Sequence, residues 1–111
     1  MIKALFVCSR NKLRSPTAEA IFAARGDVEA LSAGTGSDAE NPISADLVEW
    51  ADIIFVMERI HRDRINEKFS SLVRGKRIIV LDIPDNYGYM DPELVAILER
   101  RVPQHLRAGS S

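Results

Sequence analysis

Strand-length apolar runs alternate with helical patterns along this chain, and that alternation admits few folds. Lys3 to Cys8 is continuously apolar after its lysine, Ile53 to Met57 is wholly apolar, and Ile78 to Leu81 repeats the pattern. Runs of this kind suit strands covered on both faces. Glu29 to Ala33 reads as a further strand, ending in the loop Gly34-Thr35-Gly36-Ser37. Between them lie helical signals. Ser15 reads as an N-cap with Pro16 in the first helical position, Ala18, Ile21 and Phe22 as an apolar stripe, and Gly26 as the stop. Asn41-Pro42 opens a helix with Ile43, Leu47, Trp50 and Ala51 on one face, which Asp52 breaks; Trp50 is read as core. His61 to Leu72 carries Ile65, Phe69 and Leu72 at helical spacing before Gly75, and Asp91-Pro92-Glu93 starts a last helix with Leu94, Ile97, Leu98 and Val102 inward. The expected architecture is α/β: a three-layer sandwich in which a four-stranded parallel sheet carries helices on both faces through right-handed crossovers.

With 111 residues, 46% of them hydrophobic, the chain can bury one modest core, so residues 1–111 read as one domain with a frayed tail over 103–111. A formal net charge of -1 and a sequence pI near 6.1 favour neither a nucleic-acid nor a membrane partner. The apolar stretch before Cys8 is too short for a signal peptide's apolar region, which points to a cytoplasmic protein. One cysteine can form neither an internal disulfide nor a thiolate-rich zinc site. No metal and no cofactor are expected.

Chemistry concentrates in Cys8-Ser9-Arg10-Asn11-Lys12-Leu13-Arg14-Ser15, where a cysteine and an arginine six positions apart share one strand-to-helix turn. Backbone N–H groups at such a turn, together with the positive end of the helix dipole, favour an anion held in its curve. The same field favours the thiolate, which is the nucleophilic form of cysteine. The N–H groups of Ser9, Arg10, Asn11, Lys12, Leu13 and Arg14 can wrap the oxygens of a phosphoryl group, and the Arg14 guanidinium can grip it bidentately. Ser15 can aim its hydroxyl at the sulfur. In a parallel sheet the ligand crevice lies beyond the carboxyl ends of the strands, so Gly34 to Ser37, Met57 to Arg59 and Asp82 to Asp85 should gather around Cys8. A leaving oxygen needs a proton, and Asp85 and Asp82 both qualify by position.

Cysteine, five residues, arginine, then Ser-Pro-x-Ala-Glu near the start of the chain resembles the low-molecular-weight protein tyrosine phosphatases. The likeness extends to Ser32-Ala33-Gly34-Thr35, to the strand ending in Met57, and to Asp82-Ile83-Pro84-Asp85-Asn86-Tyr87. It implies a cysteinyl-phosphate formed on Cys8, phosphoryl binding by Arg14, an aspartate general acid, a left-handed turn at Asn11 that braces the loop, and supporting hydroxyls at Ser15 and Ser32. The implied partners are a phosphotyrosine protein or aryl phosphate as substrate and inorganic phosphate as product.

The chain also departs from that pattern. Arg10 stands where the family has glycine, and Leu13 where a second cysteine can trap the oxidised nucleophile. The segment between Ser37 and Asn41 is short, which should open the pocket. Alignment on Ile83-Pro84-Asp85 favours Asp85 as the acid, whereas gapless extension from the Lys76 to Leu81 strand favours Asp82. Asp91-Pro92 reads as a helix cap. Tyr87 and Tyr89 suit either an aromatic substrate wall or loop packing. Arg10 and Lys12 suit either solubility or attraction of anionic substrates. Arg59 belongs to a charged strand exit within reach of the crevice, and His61 and His105 show no partner in the sequence and read as solvated. Two rival readings remain: a phosphate- or phosphoprotein-binding module without turnover, and an arsenate reductase-like enzyme, against which a lone cysteine argues.

Overall fold

The computed structural model describes residues 1–106. Its strands are β1 (Ile2–Cys8), β2 (Val28–Gly34), β3 (Ile53–Val56) and β4 (Arg77–Val80), joined by helices α1 (Arg14–Ala23), α2 (Ala45–Trp50), α3 (Arg59–Lys68), α4 (Ser70–Val73), α5 (Pro92–Arg101) and α6 (Pro103–Leu106). All pairings are parallel, in the order β2-β1-β3-β4. Strand order therefore reverses between β1 and β3, and the crevice at that switch receives the loops that follow both strands.

Alternate residues of the strands face two separate cores. On one side Ala4, Phe6, Ala30, Phe55 and Met57 meet Ala18 and Phe22 of α1 and Leu94 and Leu98 of α5. On the other, Leu5, Val7, Ala33, Ile54 and Val56 meet Val48 of α2, Ile65 of α3 and Val73 of α4. The expected three layers are thus present. Phe22, Phe6 and Phe55 form a stacked row, with centroids 5.5 and 5.2 Å apart, that ties α1 to the two central strands below the cysteine loop. Burying each such ring contributes roughly 1.5–3 kcal/mol.

Several boundaries differ from the sequence expectation for identifiable reasons. Helix α1 begins at Arg14, and Ser15 does not cap it: no side chain accepts at this terminus, and the Ser15 hydroxyl is engaged elsewhere. Helix α2 starts later than Asn41-Pro42, because Pro42 and Ile43 still pair with Gly34 and Ser44 supplies the cap, accepting from Leu47 N–H. The single helix expected over His61 to Leu72 is two, since Phe69 leaves helical geometry (φ −125°, ψ 36°) and turns the chain so that Val73 stays on the core. Asp91 caps α5 as expected, accepting from Glu93 N–H at 2.9 Å. The tail reading fails for residues 103–106, where Pro103 starts a helical turn that buries Leu106; 107–111 lie outside the described residues. His105 in that turn is only partly exposed and is not without partners. Arg77 donates to its carbonyl at 3.2 Å and its ring lies edge-on to Phe55, and burial, then the Arg77 charge, lowers its pKa below the usual 6.5.

Gly34, at the end of β2, shows how tightly the second loop is fitted under the first. A Cβ there would lie 2.6 Å from both the Ser9 carbonyl oxygen and the Ala39 Cβ. Thr35 and Gly36 N–H donate to the carbonyls of Cys8 and Ser9, both at 2.9 Å, so the Ser9 carbonyl cannot move aside freely. Gly34→Ala is therefore expected to destabilise by about 1–3 kcal/mol. Urea unfolding should show a lower midpoint at unchanged slope.

Candidate active site

Cys8 ends β1, and the chain turns back over its own sulfur before α1 begins. The turn is made at Asn11, whose φ of 58° is left-handed, a conformation asparagine tolerates better than most residues. Its N–H then donates to Cys8 Sγ at 3.3 Å. The Asn11 side chain fixes this geometry from beneath, its Nδ2 donating to Ser15 Oγ at 3.0 Å and to Ser32 Oγ at 2.8 Å. Ser32 in turn donates to Glu19 Oε1 at 2.5 Å. With Asn11 and Ser32 committed as donors, Ser15 accepts from Asn11, and its own proton is left for Cys8 Sγ at 3.0 Å or the weaker Ala33 carbonyl at 3.4 Å. A hydroxyl pointed at the sulfur stabilises the thiolate.

Arg14 stands at the far end of the loop and is only 3% exposed. Its Nη1 donates to Glu58 Oε1 at 2.6 Å and to the Ile83 carbonyl at 2.8 Å. Nε lies 3.7 Å from Asp85 Oδ1. One nitrogen is thus fixed to the protein, which leaves Nε and Nη2 to present the planar fork that suits two phosphoryl oxygens. Cys8, Ser9, Arg10, Lys12, Leu13, Arg14 and Asp85 line a cleft of about 580 Å³.

The structure separates the two candidate aspartates. Asp85 is at the cleft. Asp82, left-handed at φ 56°, borders a different hollow with Arg101 and His105, and its carbonyl accepts from Arg101 Nη1 at 3.2 Å. The substrate-wall reading of the tyrosines is not supported by the geometry: Tyr87 packs against the α1–α5 core, Tyr89 is 56% exposed, and neither lines the cleft. Leu13, 39% exposed, is the apolar residue on that rim.

His61, expected in solvent, is completely buried and touches the loop. Its Nδ1 accepts from Glu58 N–H at 3.0 Å, so the proton rests on Nε2, which donates to Ser9 Oγ at 2.9 Å. Burial, followed by the Arg14 charge and opposed by Glu58, lowers its pKa from 6.5 to about 4. Sequence reasoning brought the Met57 to Arg59 and Asp82 to Asp85 segments to this site without giving Glu58 or the Ile83 carbonyl a role, and it missed His61 and Glu19. A signal existed for two of them, because Glu58 directly follows the β3 exit and His61 lies three residues on, a spacing that brings a side chain back to a helix N-cap.

Residues 3–51 match the family model described as low molecular weight phosphotyrosine protein phosphatase. The resemblance carried by the cysteine loop is thereby shown. Beyond residue 51 the likeness to this phosphatase family is one of fold. An arginine phosphatase, YwlE from Geobacillus stearothermophilus, superposes with a TM-score of 0.70 at 23% identity, covering 90% of this chain and 85% of its own. The tyrosine phosphatase Wzb from Escherichia coli K30, in complex with phosphate, gives 0.67 at 21%, covering 89% and 90%. Wzb from Vibrio vulnificus, in complex with benzylphosphonate, gives 0.69 at 22%, covering 88% and 90%. No curated protein sequence matches the chain. Among the described residues no helix is long and apolar enough to cross a membrane, and no three His, Cys, Asp or Glu side chains cluster as a metal ion would require.

Two outcomes are expected. Asn11→Ala removes both side-chain anchors and the residue type suited to φ 58°, and should lower stability by about 1–3 kcal/mol while exposing Cys8 to alkylation. For His61 the native state binds fewer protons than the unfolded chain between pH 4 and 6.5, so stability should fall as pH drops through that window. Urea midpoints measured from pH 7 to 4 should decline less steeply in His61→Gln, which cannot titrate.

Proposed function

We propose that the chain is a cysteine-dependent phosphatase of aryl phosphomonoesters, phosphotyrosine above all, working in two steps. The observation that carries this reading is the convergence of Cys8 Sγ, the Arg14 guanidinium and the Asp85 carboxylate on one cleft at the switch between β1 and β3. The thiolate of Cys8 attacks phosphorus in line with the leaving oxygen. The new S–P bond forms as the P–O bond breaks, and protonated Asp85 gives its proton to the departing phenolate. Charge on the equatorial oxygens is met by loop N–H groups and by Nε and Nη2 of Arg14. Water then attacks phosphorus, Asp85 takes its proton, the S–P bond breaks, and inorganic phosphate leaves.

Ser15 acts on the thiolate both before the first step and after the second, when sulfur is the leaving group. Asp82 has no part in the reaction. Related folds are described as arginine and as tyrosine phosphatases, so the fold leaves the leaving group open; the exposed Leu13 edge beside Asp85 favours a flat aryl group. A cytoplasmic setting is part of the same reading.

Cys8→Ser should release p-nitrophenol from its phosphate at less than about a thousandth of the parent rate, because nothing replaces the nucleophile. Asp85→Asn should slow hydrolysis of phenyl phosphate, a poor leaving group, about 10²- to 10⁴-fold, and of p-nitrophenyl phosphate much less. Asp82→Asn should match the parent on both. Saturable phosphopeptide binding with no turnover on any aryl phosphate would instead identify a binding module.

A further inference from the structure

The cleft carries two exposed cations beyond the arginine that the phosphatase reading assigns to the phosphoryl group. Arg14 is paired with Glu58 at 2.6 Å and is almost wholly buried. Arg10 and Lys12 also line the cleft, both are exposed, and neither forms an ion pair among the described residues. Asp85 is the acidic side chain that lines the same cleft, and the proposed first step requires it protonated.

The two cations are also firmly rooted. The Arg10 carbonyl accepts from Glu40 N–H at 3.1 Å, and the Arg10 backbone is packed against Gly34. Lys12 follows the left-handed Asn11, which four hydrogen bonds tie to Cys8, Ser15, Ser32 and, through Ser32, Glu19. A substrate whose phosphate is seated on the loop shares its cleft with this pair. From it we propose that the substrate is a phosphotyrosine flanked by acidic residues, with Arg10 and Lys12 as specificity-determining side chains that meet the flanking carboxylates. The same pair opposes a phosphoarginine, whose leaving group is cationic. This inference rests on the phosphatase reading, and its test separates the two.

The experiment compares kcat/KM of the full chain on three phosphotyrosine peptides flanked by glutamate, glutamine or lysine on both sides. At low salt the glutamate peptide should exceed the lysine peptide at least tenfold, with the glutamine peptide between. The ratio should shrink several-fold in 0.5 M salt, since exposed charges are screened over a few ångströms there. In Arg10→Ser/Lys12→Ser the glutamate-to-lysine ratio should collapse toward one, whatever happens to the absolute rates. Equal rates on the three peptides, a ratio that survives the double substitution, or an equal loss on all three would overturn the acidic-substrate inference and leave the phosphatase standing. No turnover of any peptide or of p-nitrophenyl phosphate would remove both.

Discussion

The left-handed turn at Asn11 is the constraint on which the site depends. A chain leaving a parallel strand for a helix has no reason of its own to curl over the strand's last side chain. Asn11 makes it do so, since its backbone reverses at φ 58° and its amide spends both donor protons on hydroxyls below the loop. The direction of every later hydrogen bond follows from that choice. Ser32 must pass its proton to Glu19, and Ser15 is left facing Cys8 with a proton to give. The carboxylate of Glu19 is thus linked to the sulfur through three neutral side chains, although it never touches it. A network with each donor satisfied in one direction holds its geometry more tightly than its separate bonds would.

Arg14 poses the opposite problem, that of a cation almost wholly removed from water. An unpaired buried guanidinium would be very costly, and a pair alone does not always offset desolvation. Here a carboxylate and a backbone carbonyl share one nitrogen, and they arrive from the exits of two different strands. Glu58 follows β3, and Ile83 follows β4, with Ile83 N–H donating to the Met57 carbonyl at 2.8 Å. The order β1-β3-β4 makes this possible, because the three exits lie side by side at one edge of the sheet. The same β3 exit holds the loop's start through His61 and Ser9. Both ends of the cysteine loop are therefore referred to one short segment, Met57 to His61.

The strands were legible because uninterrupted apolar runs such as Ala4 to Val7 and Ile53 to Val56 have no stable place except between two helical layers. The cysteine loop was legible because its chemistry is local, with nucleophile, brace and guanidinium inside one turn. What stayed hidden was non-local. A histidine in a stretch as charged as Glu58 to Arg64 looks solvated until the fold folds that stretch over a polar loop fifty residues earlier. Helix ends were hidden for a related reason, since Ser15 has the residue type of a cap but a better partner in Cys8, and tertiary contact overrode local preference. The break at Phe69 is of the same kind. No proline or glycine marks it in the chain, and the Val73 that follows it is buried in the second core.

The departures from the family pattern can be judged on the backbone itself. A glycine is favoured where φ is positive and needed where a Cβ would collide, and among the described residues the non-glycine positions with positive φ are Asn11, Asp82 and Met90. Arg10 is not one of them, so an arginine sits in the loop without left-handed strain. Leu13 likewise keeps its side chain at the surface. The loop thus divides its labour by direction: backbone N–H groups can turn toward the anion, while side chains are free to vary at the rim. That division is why Arg10 and Leu13 can depart from the family pattern without disturbing the bonds that hold Cys8 and Arg14 in place.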